Sequence, residues 1–300
     1  MVPPPLMSVS VFTTITETRD HLNILRQQHA GPVVLVPTMG ALHRGHGQLV
    51  KEAREAAGKD GTVVVSIFVN PTQFGPNEDF NAYPRSMEAD TKLCEEMEAD
   101  VIFHPDASEL YAENHSIEVV ETRLSRGLCG ASRVGHFPGV CLVVTKLFGA
   151  VQPDKAIFGR KDYQQLAVIR RLVRDLCLPV EIVVAETVRE DDGLALSSRN
   201  QYLSRAERQT APGIRAALLA GRDKWQTTPE ITPSVLLRFV RSRLEQLSGS
   251  KLDYVELIDA ETLEPIEAIT HPVIIAVGIF FGKARLIDNI EFGPQTSEIS

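Results

Sequence analysis

Cysteine and long apolar runs are scarce in this chain, and each scarcity removes a class of protein. The four cysteines, Cys94, Cys129, Cys141 and Cys177, are widely spaced and include no C-x-x-C pair. This excludes a disulfide-dense scaffold and leaves reduced core or surface thiols. No run of 18 apolar residues occurs, so no segment reads as a membrane-spanning helix. The first ten residues hold Pro3, Pro4 and Pro5 but no charged stretch followed by an apolar one. They do not read as a secretory signal, and the protein is expected to be cytoplasmic with a proline-rich extension outside its core. A net charge of −8, spread along the chain, lacks the basic footprint of an electrostatic nucleic-acid binder. Neither a membrane nor a nucleic acid is expected as a partner.

What is present suits a globular chain: 43% hydrophobic and 23% charged residues over 300 positions, enough for one large or two ordinary domains. Val33, Val34, Leu35 and Val36 form a buried-strand signal, a helical pattern runs over 46–57 and stops at Gly58, and a second apolar strand covers 62–69. Strand, helix and strand within some forty residues, both strands nearly all apolar, are the sign of a crossover in a parallel sheet. The rhythm continues with a helix over 86–98, a strand over 101–104, a helix over 140–151, a strand over 155–158, a helix over 163–176 and a strand over 180–184. A short amphipathic helix over 18–28 precedes them all. The predicted fold is α/β, a Rossmann-like doubly wound parallel sheet over residues 1–187. After that the segment 187–200 turns polar and reads as a hinge or active-site loop. Ser204 and Glu207 fit a capping box that opens a helix, another helix covers 234–246, and strands are expected over 252–257, 273–280 and 284–290. Residues 188–300 therefore read as a smaller C-terminal α+β domain.

The stretch with the clearest chemistry is Pro37-Thr38-Met39-Gly40-Ala41-Leu42-His43-Arg44-Gly45-His46, at the end of the first buried strand. A helix starting near His46 would present unpaired amides and a positive dipole end to phosphate oxygens. Gly40 and Gly45 allow close backbone approach, and His43 and His46 sit three apart and can both donate to one ligand. Two ordinary histidines in a surface loop are the plain alternative. Asn70-Pro71-Thr72-Gln73-Phe74 follows the next strand, where Asn70 and Gln73 can donate to a carboxylate or hydroxyl and Phe74 can exclude water. Gly159-Arg160-Lys161-Asp162 follows a later strand: Lys161 can neutralise phosphate charge, Asp162 can hold a ribose hydroxyl or cap the helix, and Gln165 lies three residues on. Leu196-Ser197-Ser198-Arg199-Asn200 offers two hydroxyls and a guanidinium, either as a phosphate clamp or as a solvated linker. Asp90, with Asp79 and Glu88 nearby in sequence, is a candidate acid for magnesium, which needs only one or two carboxylates besides phosphates and water. No Ser-His-Asp order, zinc-ligand cluster or Walker lysine motif points to hydrolysis, zinc chemistry or P-loop transfer.

Taken together, P-T-M-G-A-L-H-x-G-H, F-V-N-P-T-Q-F, Y-P-R, G-H-F-x-G-V, F-G-x-K-D-Y-Q-Q, T-V-R-E and L-S-S-R-N-x-Y-L resemble the pantoate–beta-alanine ligase family, and Leu286 to Asn289 extends the resemblance. The resemblance implies an ATP-dependent two-step reaction through a pantoyl adenylate, in a homodimer that uses Mg2+. It assigns Met39, Gly40, Ala41, Leu42, His43, Arg44, Gly45 and His46 to ATP, with His46 as proton donor. Gly159, Arg160, Lys161, Asp162, Val188, Leu196, Ser197, Ser198 and Arg199 would complete the ATP contacts, Gln73 and Gln165 would hold pantoate, and Asp90 aligns with an acid linked to magnesium. The catalytic set it implies is His43, His46, Lys161 and Arg199, and the second domain would act as a lid. This chain departs from the family pattern at four places: Arg44 and Arg160 stand where acids are common, Gly47 where a bulky apolar residue is usual, and Leu196 where methionine is usual. A nucleotidyltransferase of the same H-x-G-H superfamily is the rival enzyme, and a nucleotide-binding protein without catalysis is the rival outside enzymes.

Overall fold

The computed structural model describes residues 8–75, 80 and 83–294. Asp79 and the prolines of the start lie outside them. Among the described residues the chain forms two compact units. One comprises the residues up to Glu121 with Arg133–Arg160 and Val168–Glu186; the other comprises Thr122–Ser132, Lys161–Ala167 and the residues from Thr187 onward. Two short segments, Thr122–Ser132 and Lys161–Ala167, thus leave the run of the first unit for the second. The side chain of Gln164 shows how one is held, with Nε2 donating to the carbonyls of Leu124 and Gly127, both at 2.8 Å. Such pairings link residues some forty positions apart and leave no local pattern.

The first unit is built on a six-stranded sheet: β1 Ser10–Phe12, β2 Val33–Thr38, β3 Thr62–Ile67, β4 Val101–Phe103, β5 Lys155–Gly159 and β6 Glu181–Ala185, in the order β1-β4-β3-β2-β5-β6. Every pairing is parallel. Strands β2 and β3 lie in the middle, so their Val, Leu and Ile side chains are buried on both faces and no polar alternation is needed. One face packs Val34, Val36, Val63 and Val65 with Val50, Ala53 and Ala57 of the helix Arg44–Ala57. The strand order reverses at β2, which has β3 on one side and β5 on the other, and ligands of open α/β sheets bind beyond the carboxyl ends at such a point. Those ends are Thr38 and Gly159.

Two helices of this unit begin earlier than their periodicity predicts. Helix His136–Val151 starts four residues before the expected 140 and includes Pro138 in its first turn, where a missing amide costs nothing. Helix Ile15–Gln28 is capped by Thr14, whose Oγ1 accepts from the Glu17 amide. No helix among the described residues is long and apolar enough to cross a membrane.

The second unit contains an antiparallel sheet of β7 Ser250–Asp259, β8 Val273–Phe281 and β9 Ala284–Phe292, with β8 in the centre. Ile275, Val277, Ile279 and Phe281 of β8 share a core with Ile214 and Leu218 of helix Gly213–Thr227 and with Leu236, Val240 and Leu244 of helix Pro233–Glu245. Ser204 and Glu207 form the expected capping box. The helix they open ends at Thr210, ahead of Pro212, and a separate helix starts at Gly213.

Candidate functional site

In the first unit, the turn after β2 is closed almost wholly by side chains. Gly40 at φ +76° and Ala41 at φ +50° both lie in the left-handed region, and a Cβ on Gly40 would stand 3.0 Å from both Asp90 Oδ2 and Ile67 Cγ2. The Gly40 amide donates to Thr38 Oγ1 at 3.2 Å. The amides of Ala41 and Leu42 donate to Asp90 Oδ2 and Oδ1 at 3.0 and 2.7 Å. Asp90 is therefore a pin that holds a left-handed alanine in place, reaching across from the helix Met87–Glu96. Burial, with only 2% of the residue exposed, pushes its carboxyl above the usual carboxylate range, against the opposing pull of the Leu42 and Ala41 amides.

The helix that follows starts at Arg44, two residues before the predicted position, because His43 is its N-cap. Histidine is outside the usual capping set, which is why the sequence pattern points further on. His43 Nδ1 accepts from the Gly45 amide at 3.1 Å, and His46 Nδ1 accepts from the His43 amide at 3.3 Å, forming a capping box made of two imidazoles. The unpaired amides expected for phosphate are thus already engaged by the protein's own side chains. What replaces them is chemically definite: an Nδ1 that accepts an amide proton carries none, so each neutral ring has its proton on Nε2. The two rings lie against each other with centroids 4.1 Å apart and planes tilted by 34°.

Beyond β3, Asn70 is fully buried and commits both ends of its amide within the protein. Its Nδ2 donates to Gln73 Oε1 and to the Gly139 carbonyl, both at 3.1 Å, while its Oδ1 accepts from Tyr111 Oη at 2.8 Å and Thr72 Oγ1 at 3.0 Å. Asn70 therefore orients Gln73, in place of the ligand contact the sequence suggested. With Oε1 held, the other end of the Gln73 amide offers only donors. The backbone around Gln73 is fixed as well: His136 Nδ1 donates to its carbonyl at 3.0 Å, and Arg133 Nη1 donates to His136 Nε2 at 3.0 Å. A Cβ on Gly139 would stand 2.4 Å from the Thr72 carbonyl oxygen, so this glycine lets the helix approach the turn. Tyr111, Arg133 and His136 are absent from the predicted set. Only His136 and Gly139 had a signal, as part of G-H-F-x-G-V. Phe74 packs edge-on against Phe80 and Tyr83. Gly159 ends β5, and Arg160 pairs with Glu186 at 2.8 Å, so part of its charge is already answered.

In the second unit, Lys161 Nζ lies 3.7 Å from the Asp162 carboxylate, and Gln165 is half-buried on the first turn of helix Tyr163–Asp175. The segment read as a hinge is a tight hairpin. Leu196 N donates to the Val188 carbonyl at 3.0 Å, Glu190 N to Leu194 O at 2.8 Å, and Gly193 turns the chain at φ +90°. Arg189 fastens it through two bonds to the buried Asp288, at 2.8 and 2.9 Å. Ser197 Oγ accepts from the Arg199 amide and caps the short helical turn Ser198–Tyr202 that carries Arg199.

Residues 10–291 match the family described as Pantoate-beta-alanine ligase. A protein named pantothenate synthetase from Akkermansia muciniphila is 48% identical over 94% of this chain and 100% of its own length. The like-named protein of Thermotoga petrophila is 47% identical over 95% and 100%. A crystal structure of pantothenate synthetase from Thermus thermophilus superposes with a TM-score of 0.88 at 44% identity, covering 95% of this chain and all of that one. A Francisella tularensis pantoate-beta-alanine ligase, described as complexed with beta-gamma ATP and beta-alanine, superposes at 0.75 with 32% identity, over 94% of this chain and 97% of its own. By this match across nearly its whole length, the chain belongs to the pantoate–beta-alanine ligase family.

Proposed function

We propose that this chain joins pantoate to beta-alanine at the expense of ATP. A carboxylate oxygen of pantoate attacks the α-phosphate and pyrophosphate departs; the amine of beta-alanine then attacks the acyl carbon of the pantoyl adenylate and AMP departs. The observation that carries the reading is the imidazole capping box after β2, found in a chain of this family. It places two Nε2–H donors at a helix N-terminus, and charge building on phosphate oxygens is stabilised by fixed donors and the dipole. His43 and His46 act on phosphate in the first step, His46 as the proton donor. Lys161 and Arg199 neutralise charge on the triphosphate, and Met39 to His46, Gly159 to Asp162, Val188 and Leu196 to Arg199 contact ATP. Gln73, oriented by Asn70, donates to pantoate, and Gln165 assists.

The residues present do not fit a protein-built magnesium site. Asp90 is buried and each of its oxygens already accepts an amide, whereas Mg2+ keeps much of its water shell. Among the described residues no group of three His, Cys, Asp or Glu is placed to hold a metal. The magnesium that the family resemblance implies is proposed to arrive on the phosphates of ATP.

Incubation with ATP, magnesium, pantoate and beta-alanine tests the reading. AMP and pantothenate should form together, and omission of beta-alanine should leave a single burst of pyrophosphate. Turnover without an amine would favour the nucleotidyltransferase reading, and ATP binding without pyrophosphate release in the presence of pantoate would favour a protein without catalysis. The family resemblance also supports a cytoplasmic homodimer. Light scattering checks the assembly, with a mass twice that of the chain expected.

A further inference from the structure

Strand β9 carries two consecutive polar residues, Asp288 and Asn289, and both are buried. Successive side chains of a strand point to opposite faces, so each face has received one buried polar group. Such groups are costly unless hydrogen-bonded, and each has found its partner outside the sheet. Asp288 takes both bonds from Arg189 and so holds the hairpin 188–196. Asn289 Nδ2 donates to the main-chain carbonyl of Lys161 at 2.9 Å, and the carbonyl of Asn289 accepts from Arg215 Nη1 at 3.3 Å. One strand position fastens the hairpin, and the next fastens the backbone from which the Lys161 side chain springs.

We propose that Asn289 is a positioning residue for the Lys161 ammonium, acting through the Lys161 carbonyl. Lysine is a point charge on a flexible four-carbon stem, so the place of its ammonium depends on where its backbone is held. This inference rests on the phosphate-neutralising role proposed above for Lys161. A hydrophobic residue would fill the same strand position more cheaply, and the buried amide has its use in the bond it makes beyond the sheet.

The test is a double-mutant cycle on pyrophosphate release in a single turnover, with Asn289→Ala, Lys161→Ala and the two combined. Lys161→Ala should slow release by about 10²-fold or more. Asn289→Ala should slow it by about 10-fold through misplacement of the charge, with pantothenate formation from supplied pantoyl adenylate little changed. The combined variant should be no slower than Lys161→Ala alone, because the residue through which Asn289 acts is already gone. A combined loss equal to the product of the two single losses would overturn the proposal, since a merely structural defect multiplies. So would a normal rate in Asn289→Ala beside a slow Lys161→Ala. A normal rate in Lys161→Ala would overturn the reading of Lys161 itself, and this inference with it. If Asn289→Ala does not fold, the isosteric Asn289→Asp, which lacks the donor, enters the same cycle and is judged by the same outcomes.

Discussion

In the turn after β2 the amides of Gly40, Ala41, Leu42, His43 and Gly45 all end on side chains, whereas in the hairpin 188–196 the amides of Glu190, Gly193 and Leu196 end on carbonyls within the hairpin. A turn with two left-handed residues cannot close a backbone ladder, so it borrows acceptors, one of them from Asp90 nearly fifty positions away. The hairpin closes on itself and is fastened by the buried Arg189–Asp288 pair, with the exposed Arg208–Asp192 pair and the Asn200 amide on the Ala195 carbonyl as lesser ties. The first design ties geometry to individual side chains, and the second concentrates it in a single buried ion pair.

That contrast can be broken at several points. The largest effect is expected for His46→Ala, which removes one ring of the capping box. Pyrophosphate release should fall by about 10²- to 10³-fold, the usual loss for one preorganised donor, while pantothenate formation from supplied adenylate stays near normal. Equal loss in both half-reactions, or rescue by zinc, would count against the phosphate role.

On the hairpin side, Arg189→Met strands the buried Asp288 carboxylate and should cost about 3 kcal/mol in a urea titration, the lower end for such a pair because Arg189 is partly exposed. Arg189→Met combined with Asp288→Leu should recover most of that stability, since an apolar pair of similar volume avoids the desolvation penalty. A double variant as unstable as the single one would show that the ion pair is not what matters.

Asp90→Asn should cost about 1–3 kcal/mol, because an amide side chain must turn its NH2 end toward one of the two backbone donors it replaces an acceptor for. In the ligand-free protein the Ala41 and Leu42 amides should exchange with solvent faster, and the KM for ATP should rise regardless of magnesium concentration. Recovery at high magnesium would restore Asp90 to the role of metal ligand. The smallest effect belongs to Gly47→Ala. A Cβ there would meet Met97 Cγ at 3.5 Å, an ordinary contact, so thermal unfolding should show a gain of up to about 1 kcal/mol from helix propensity.

Sequence alone determined the parallel sheet, five of its six strands and the turn that carries the histidines, because buried strands and amphipathic helices write their period into the residues, whereas the three residues of β1 are too few to show one. The capping box at Ser204 was equally legible, since serine and glutamate three apart are its common signature. Helix Gly213–Thr227 was hidden by Pro212 and by its own glycines, Gly213 and Gly221, which break the pattern without breaking the helix. For the site, residue types indicated which groups could meet phosphate or carboxylate, but not which were already spent. Only the tertiary structure decided that Asp90 holds the turn, that Asn70 serves Gln73, that the imidazoles cap their own helix, and that Asn289 reaches the Lys161 backbone. Those assignments depend on hydrogen-bond partners distant in sequence or on an unusual cap. A polar side chain carries no local sign of the partner that burial will oblige it to find.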